Sequence, residues 1–217
     1  MFIGHFAVGL ASKRAAPKAS LGPLMAAPLL ADLLWPIFLL LGWEQVRLVP
    51  GGKTFQVLEF TSYPYSHSLE MDVVWGLLFA TVYWGLTRYR AGAAVIFCGV
   101  LSHWVMDVIV HVPDLPITVN GSTRLGLGLW NSVAGTVLVE YLLLATGAWL
   151  YARTTRARDR TGRWSFWAFV ALLALFYASS IFAGAPPTVP ALAGGTLVLW
   201  LFPFWAGWFD RHRDVVV

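Results

Sequence analysis

Six apolar runs, each of about 20 residues, dominate this chain and restrict what it can fold into. A helix needs about 20 residues to cross the hydrocarbon core of a bilayer. Only 12% of the residues are charged, whereas a typical soluble domain contains about 25%. The sequence therefore predicts an all-α fold, a polytopic transmembrane helical bundle with about six spans. The predicted spans are residues 21–42, 69–87, 92–112, 126–152, 164–183 and 189–209.

Short connections join most of these runs, so residues 1–217 are predicted to form a single membrane domain. The longest connection, residues 43–65, is more polar and contains Pro50-Gly51-Gly52. This composition predicts an extramembrane loop with a turn. Residues 1–112 carry most of the candidate site residues, and the later spans complete the bundle.

Lysine and arginine residues cluster in alternate connections, and this distribution sets the predicted orientation. The clusters follow the short N-terminal apolar stretch and the second, fourth and sixth runs. Cytoplasmic loops are enriched in these residues, so both termini are predicted to be cytoplasmic. The net charge of +4 is not gathered on one soluble face, which excludes nucleic acid as a partner. Membrane lipids are the expected surroundings.

The N-terminal stretch, residues 2–12, is apolar but too short to span a bilayer. As a short half-helix ending at Lys13, it would cover about 16 Å, which would place His5 inside the membrane. An amphipathic helix lying on the membrane surface is the alternative.

Several ionisable residues lie inside the predicted spans, where each costs at least about 2.5 kcal/mol and needs a partner. They are Asp32, His103, Asp107 and Glu140. Glu140 has no evident partner in its own helix. It is open to three roles, as a protonated structural carboxyl, a metal ligand or a general acid or base.

His103, Asp107 and His111 follow one another at intervals of four residues. Because a helical turn contains 3.6 residues, the three side chains share one helix face. A histidine and a carboxylate at this spacing can bind one metal ion. A hydrogen bond between them at a helix interface would have the same spacing, so both interpretations stay open.

His67 lies where the polar loop gives way to the second span. Ser66 or Ser68 is suited to cap this helix, and Glu70 and Asp72 are predicted to be capping acids in its first turn. His67 has no such role. It is predicted either to lie at the membrane interface or to enter the bundle beside Asp32.

Four motifs occur in a fixed order: Gly4-His5, Asp32 after Pro28, His67-Ser68, and Ser102-His103 with Asp107 four residues later. Together they resemble the YdjM-type family of inner-membrane-associated metal-dependent hydrolases, which are distantly similar to zinc-dependent phospholipase C. The resemblance covers residues 1 to about 112. It implies a location in the bacterial inner membrane. It also implies that the metal ligands are His5, Asp32, His67, His103 and Asp107. The sequence departs from the family by keeping one acid where the family has Pro-Asp-x-Asp, and by the residues Tyr63–Ser66 before His67.

These observations lead to an expected function. We expect a membrane-embedded hydrolase that uses a divalent metal, zinc in the first instance, to cleave an amphiphilic ester or phosphoester such as a phospholipid or a prenyl phosphate. Glu140 and His111 are the candidate catalytic residues. A transporter of protons or metal ions is the alternative. A scaffold subunit, whose polar residues only join helices, is a third.

Overall fold

Nine α-helices make up most of residues 1–52 and 54–216, the part of the chain that this computed structural model describes. The helices are α1 (Ile3–Ala15), α2 (Leu21–Leu40), α3 (Pro64–His67), α4 (Leu69–Thr87), α5 (Arg90–Val110), α6 (Val133–Thr154), α7 (Arg160–Ser180), α8 (Val189–Thr196) and α9 (Leu201–Asp210). Two short 3-10 helices, Leu129–Asn131 and Leu197–Trp200, precede α6 and α9.

Six helical segments of the described residues are long and apolar enough to cross a membrane. Five of them are α2, α4, α5, α6 and α7, and the sixth is the continuous stretch Val189–Asp210, which joins α8, the 3-10 turn and α9. These segments confirm the predicted all-α bundle and indicate an integral membrane protein.

The fourth span begins later than predicted. The sequence predicts a span from residue 126, whereas α6 begins at Val133. Gly128 has a φ of +73°, a conformation that interrupts an α-helix. The Ser132 hydroxyl then accepts a hydrogen bond from the Gly135 N–H at 3.1 Å and caps the helix. The predicted boundary is wrong because apolar residues of the preceding loop extend the hydropathic run beyond the helix itself.

Three short antiparallel strand pairs lie at the ends of the bundle in the part of the chain that is described. The pairs are β1 (Gln45–Leu48) with β2 (Leu58–Ser62), β3 (Leu115–Pro116) with β4 (Arg124–Leu125), and β5 (Thr155–Ala157) with β6 (Arg213–Val215). The first pair lies inside the segment predicted as a loop with a turn. It follows α2, and the second pair follows α5, whereas the third pair lies where α6 and α9 end.

The N-terminal helix α1 is inserted among the other helices. Ile3, Phe6 and Leu10 are fully buried. A Cβ atom at Gly147 of α6 would lie only 2.4 Å from the carbonyl oxygen of Ala7, so a glycine is required for this close approach. The predicted N-terminal half-helix is therefore confirmed, and the alternative of an amphipathic surface helix is wrong.

Polar clusters occupy the two ends of the bundle. At the end where α1 finishes, Asp210 accepts hydrogen bonds from Lys13 Nζ at 2.7 Å and from the Tyr151 hydroxyl at 2.8 Å. The Leu21 N–H donates to the same carboxylate at 2.9 Å. The histidines and aspartates of the candidate site form the other cluster. Along α1, α2 and α5, the buried side chains between the two clusters include Phe6, Leu10, Leu24, Ile96 and Val100.

Candidate metal centre

The five residues that the sequence predicts as metal ligands come from four helices and meet at one end of the bundle. His5 lies in α1, Asp32 in α2 and His67 in α3, and α5 contributes His103 and Asp107. Two groups of three offer ligand atoms within 4.8 Å of one another. One group is His5, His103 and Asp107, and the other is Asp32, His67 and His103. The two groups therefore share His103.

Asp107 lies at the centre of the cluster. Its Oδ1 atom is 3.1 Å from His5 Nε2, and its Oδ2 atom is 3.2 Å from His103 Nε2. His111 Nε2 lies 3.6 Å from the same Oδ2 atom. The Met1 amino group also donates to Oδ1. Two of these contacts follow from the spacing of four residues along α5, because such positions are neighbours on one helix face.

The second carboxylate, Asp32, faces His67, with Oδ1 and Nε2 3.6 Å apart. His67 ends α3, a single helical turn that begins at Pro64, a residue favoured at the first helical position. The Ser68 hydroxyl then accepts from the Met71 N–H at 3.2 Å and caps α4. Of the two predicted caps, Ser68 is thus the one that acts. The corner between α3 and α4 turns His67 into the bundle, where its side chain is buried.

His103 of α5 and His111, the residue after α5, are each held by a hydrogen bond from Nδ1. His103 Nδ1 donates to the Pro28 carbonyl oxygen at 2.8 Å, and His111 Nδ1 donates to Asp114 Oδ1 at 2.9 Å. Carbonyl and carboxylate oxygens only accept, so both Nδ1 atoms carry the proton. In the neutral rings, Nε2 therefore faces the cluster as a free lone pair. Metal-binding histidines are commonly oriented in this way, with the second ring nitrogen donating to an oxygen.

The lone pairs on Nε2 of His103 and His111 lie beside the negative charge of the Asp107 carboxylate. Among the described residues, His103 Nε2 has no hydrogen-bond partner although it is buried. Additional ring protons or a cation would each relieve the repulsion between these nitrogens and Asp107. The rings of His5 and His103 stack, however, with centroids 4.0 Å apart and planes 12° apart. Two stacked imidazolium ions would repel each other, so either a proton on one ring alone or a bound cation agrees with this geometry.

The cluster is most accessible at Asp32. The side chains of His5, His103 and Asp107 are at most 3% exposed, whereas that of Asp32 is 21% exposed. A small molecule or ion therefore approaches most directly at Asp32.

Aromatic side chains surround the cluster on the side of the first two strand pairs. The ring of Phe60 in β2 lies 5.5 Å from Trp35, 5.0 Å from Tyr63 and 5.3 Å from His111, measured between centroids. The Trp130 ring lies 4.1 Å from His111. The first hairpin thus covers the histidines with an apolar layer.

Glu140 of α6 holds the beginning of α1. Its two carboxylate oxygens accept hydrogen bonds from the N–H groups of Phe2 and Gly4, each at 2.7 Å. Free N–H groups at a helix start attract a carboxylate, so Glu140 positions the helix that carries His5. It belongs to neither candidate group of ligands. Its predicted catalytic role stays a prediction.

Glu44, a buried residue in the loop after α2, was not predicted from the sequence as a site residue. Its Oε1 accepts from the N–H groups of Tyr65 and Ser66, both at 2.8 Å, and its Oε2 accepts from the Ser66 hydroxyl at 2.6 Å. The Ser66 oxygen also lies 2.6 Å from His67 Nδ1. Burial raises the pKa of the Glu44 carboxyl, and these hydrogen bonds act in the opposite direction. Nothing local in the sequence indicates this pairing, because 22 positions separate Glu44 from Ser66.

Asp72 lies in the first turn of the second span, as predicted, but its side chain does not cap the helix. Asp72 is fully buried, and within the described residues neither of its carboxylate oxygens has a hydrogen-bond partner. It lies four positions before Gly76, which faces Phe97 of α5. Its side chain therefore points away from the helix start, where the Ser68 hydroxyl caps instead.

Asp114, which was not predicted from the sequence as a site residue, orients His111 through a hydrogen bond to Nδ1. Its Oδ1 accepts from the Tyr63 hydroxyl at 3.1 Å as well as from His111 Nδ1. Burial lowers the pKa of the His111 imidazole, which favours the neutral ring. Asp114 lies three residues after His111, beyond the end of α5. The turn of the chain after this helix brings the two side chains together.

These buried histidine and aspartate groups can hold a metal ion. Comparison of the chain with known protein families, with curated proteins and with solved structures found no match. The resemblance to the YdjM-type family therefore stays a prediction.

Proposed function

We propose that this protein is a membrane-embedded, metal-dependent hydrolase and that its metal ion is zinc. The observation that carries the proposal is the convergence of buried imidazole Nε2 atoms on the carboxylates of Asp32 and Asp107, with the Nδ1 atoms of His103 and His111 hydrogen-bonded to fixed oxygens. Imidazole nitrogen and carboxylate oxygen are the usual zinc ligands besides thiolate. The resemblance to a family of membrane-associated metal-dependent hydrolases supports the same conclusion.

One ion would be shared by the two ligand groups. His103 Nδ1 is bound to the Pro28 carbonyl, so this ring offers a single lone pair, on Nε2. One lone pair binds one ion. Ligand atoms on one zinc ion at about 2.1 Å lie at most about 4.2 Å apart. The ligand atoms lie within 4.8 Å of one another inside each group, so small side-chain movements would let the three residues of either group bind the ion.

Each residue of the site has a distinct part in the proposed chemistry. His5, Asp32, His67, His103 and Asp107 would hold the ion. When bound, zinc supplies Lewis-acid chemistry, since it lowers the pKa of water and stabilises charge on an ester or phosphoryl oxygen. His111 would accept the proton of the attacking water, because its Nε2 faces the cluster while Asp114 fixes its Nδ1.

The location of the cluster favours an amphiphilic substrate such as a phospholipid or a prenyl phosphate. Asp32 and Asp107 belong to apolar helices, α2 and α5, which are long enough to span the bilayer. The neighbouring helix α4 exposes Val73, Val74 and Leu77, side chains suited to contact with lipid. A lipid in the bilayer could bring its ester group to the cluster without leaving the membrane.

We propose that the protein lies in the bacterial inner membrane with both termini on the cytoplasmic side. Lys13 and the arginines around β5 and β6 lie at the end of the bundle opposite the cluster, and cytoplasmic segments are enriched in such residues. The candidate site would then lie towards the outer side of the membrane.

A transporter agrees less well with the packing. Ion passage would need a polar route between the two ends. Buried apolar side chains such as Phe6, Leu24 and Ile96 instead separate the histidine cluster from the Lys13–Asp210 pair. A purely structural role agrees less well with Asp107, whose carboxylate faces three imidazole nitrogens.

The test is lipid hydrolysis by protein purified in detergent. Wild-type protein, zinc-depleted protein and zinc-restored protein would be incubated with mixed micelles that contain a phospholipid or a prenyl phosphate, and product release would be measured. Activity should disappear on depletion, return with zinc and fall strongly in His111→Ala. The matched control is His212→Ala, because His212 contacts Asp159 and belongs to neither ligand group. Zinc-loaded wild-type protein that hydrolyses neither lipid would contradict the proposal.

A further inference from the structure

The Ser66 hydroxyl connects the Glu44 carboxylate, which has no part in the proposed chemistry, to the imidazole of His67, a proposed metal ligand. Ser66 Oγ lies 2.6 Å from Glu44 Oε2 and 2.6 Å from His67 Nδ1. All three residues are buried, with Ser66 fully so. A hydroxyl has a single proton to donate and can accept as well. The position of that proton therefore decides whether His67 Nδ1 donates or accepts a hydrogen bond.

An ionised Glu44 can only accept, so the Ser66 hydroxyl donates its proton to Oε2. The Ser66 oxygen is then an acceptor for His67, and the proton of the neutral imidazole must be on Nδ1. His67 Nε2 is left as a free lone pair opposite Asp32 Oδ1, 3.6 Å away. The other tautomer would place an N–H on Nε2, where it would donate to Asp32 and could not bind a metal ion.

We propose that Glu44 is a positioning residue that fixes the tautomer of His67 through Ser66, so that Nε2 stays free for the ion. The proposal rests on the proposed function only in that His67 is a metal ligand. It gives a reason for burying a carboxylate in the loop after α2, and it completes a pattern. His103 is fixed by the Pro28 carbonyl and His111 by Asp114, and His67 is fixed by a hydroxyl that Glu44 orients.

Glu44→Gln is the sharpest perturbation, because it keeps the size of the side chain. The amide oxygen can still accept from the N–H groups of Tyr65 and Ser66, which both bind Oε1. The amide nitrogen then stands in place of Oε2 and donates to the Ser66 oxygen. This frees the hydroxyl proton for His67 Nδ1, and the imidazole proton moves to Nε2.

The direct readout is nitrogen NMR of ¹⁵N-histidine-labelled, metal-free protein in detergent at pH 8, with the His67 signals identified by their loss in His67→Ala. Wild-type protein should show the Nδ1–H tautomer at His67, and Glu44→Gln should show the Nε2–H tautomer. A second readout is zinc affinity, measured by competition with a chelating dye. Loss of such an orienting partner typically weakens metal binding by about 10–100-fold.

Two serines flank His67 and provide matched controls. Ser66→Ala should also weaken zinc binding, and Ser66→Thr, which keeps the hydroxyl, should restore it. Ser68→Ala removes an equally buried hydroxyl that caps α4, so it should lower stability while leaving the His67 tautomer and the zinc affinity unchanged. If Glu44→Gln does not fold, Ser66→Ala and Ser66→Thr carry the test.

The outcomes separate this inference from the proposed function. An unchanged His67 tautomer in Glu44→Gln, or equal losses of zinc affinity in Ser66→Ala and Ser68→Ala, would overturn the positioning role. Wild-type protein without affinity for zinc would overturn the metal site, whereas the tautomer in metal-free protein would still test the link from Glu44 to His67.

Discussion

Replacing Lys13 with methionine should destabilise the bundle far more than breaking an exposed salt bridge. Lys13 Nζ lies 2.7 Å from Asp210 Oδ2, and both side chains are only 7% exposed. With an effective dielectric constant of about 20, unit charges at this distance attract by roughly 6 kcal/mol, from which desolvation must be subtracted. Removing one partner of a buried pair costs about 3–5 kcal/mol. Because Asp210 keeps its hydrogen bonds from Tyr151 and Leu21, we expect the lower value, about 3 kcal/mol.

The assay is thermal unfolding in detergent, followed by circular dichroism. For a chain of this size, about 3 kcal/mol corresponds to a fall of roughly 6–12 °C in the unfolding temperature. The matched control is Arg47→Met, which breaks the Arg47–Glu59 pair, whose side chains are 70% and 48% exposed. Such pairs contribute at most about 1 kcal/mol. Adding Asp210→Asn to Lys13→Met should recover part of the loss, since no unpaired charge is then buried. Equal effects of Lys13→Met and Arg47→Met would refute this reasoning.

Three further predictions concern packing, burial and metal binding. Gly147→Ala should destabilise the protein by about 1–3 kcal/mol in thermal unfolding, because the new Cβ would lie 2.4 Å from the Ala7 carbonyl oxygen; wild-type stability would mean that α1 and α6 do not pack as described. Asp72→Asn should leave the unfolding temperature unchanged or raise it, because it removes a carboxyl without a hydrogen-bond partner among the described residues; a large fall would contradict that environment. Zinc affinity measured by calorimetry should rise between about pH 5 and pH 8, since the ligands must lose protons on binding; affinity that does not change with pH would argue against histidine ligands.

The sequence predicts the spans well because the length and apolarity that a bilayer demands are local properties. Five spans agree with the structure to within a few residues at each end, and α6 does not, because the loop before Ser132 is apolar as well. The strand pairs are harder to predict. Each of their strands contains at most five residues, and pairing depends on contacts between distant segments.

The grouping of the candidate ligands could be predicted in part. The spacing of His103, Asp107 and His111 predicts one shared helix face, and the structure places all three side chains beside one another. The family resemblance predicts that His5 and Asp32 lie close to this face. No local pattern in the sequence predicts it.

Two of the groups that orient the histidines could not be predicted. The Pro28 carbonyl lies 75 positions from His103, and the Glu44 carboxylate lies 22 positions from Ser66. Such contacts depend on how helices pack and not on local spacing. Asp72 shows the opposite limit, because its position near a helix start fits a capping role, whereas the rotation of α4 buries its side chain.

Elemental analysis of the detergent-purified protein, prepared without added metal and without a metal-binding tag, tests the central claim most directly. Wild-type protein and His212→Ala should each contain close to one zinc ion per chain, and His103→Ala should contain none, because His103 Nε2 belongs to both ligand groups. A folded wild-type protein without metal, or an unchanged zinc content in His103→Ala, would contradict the account.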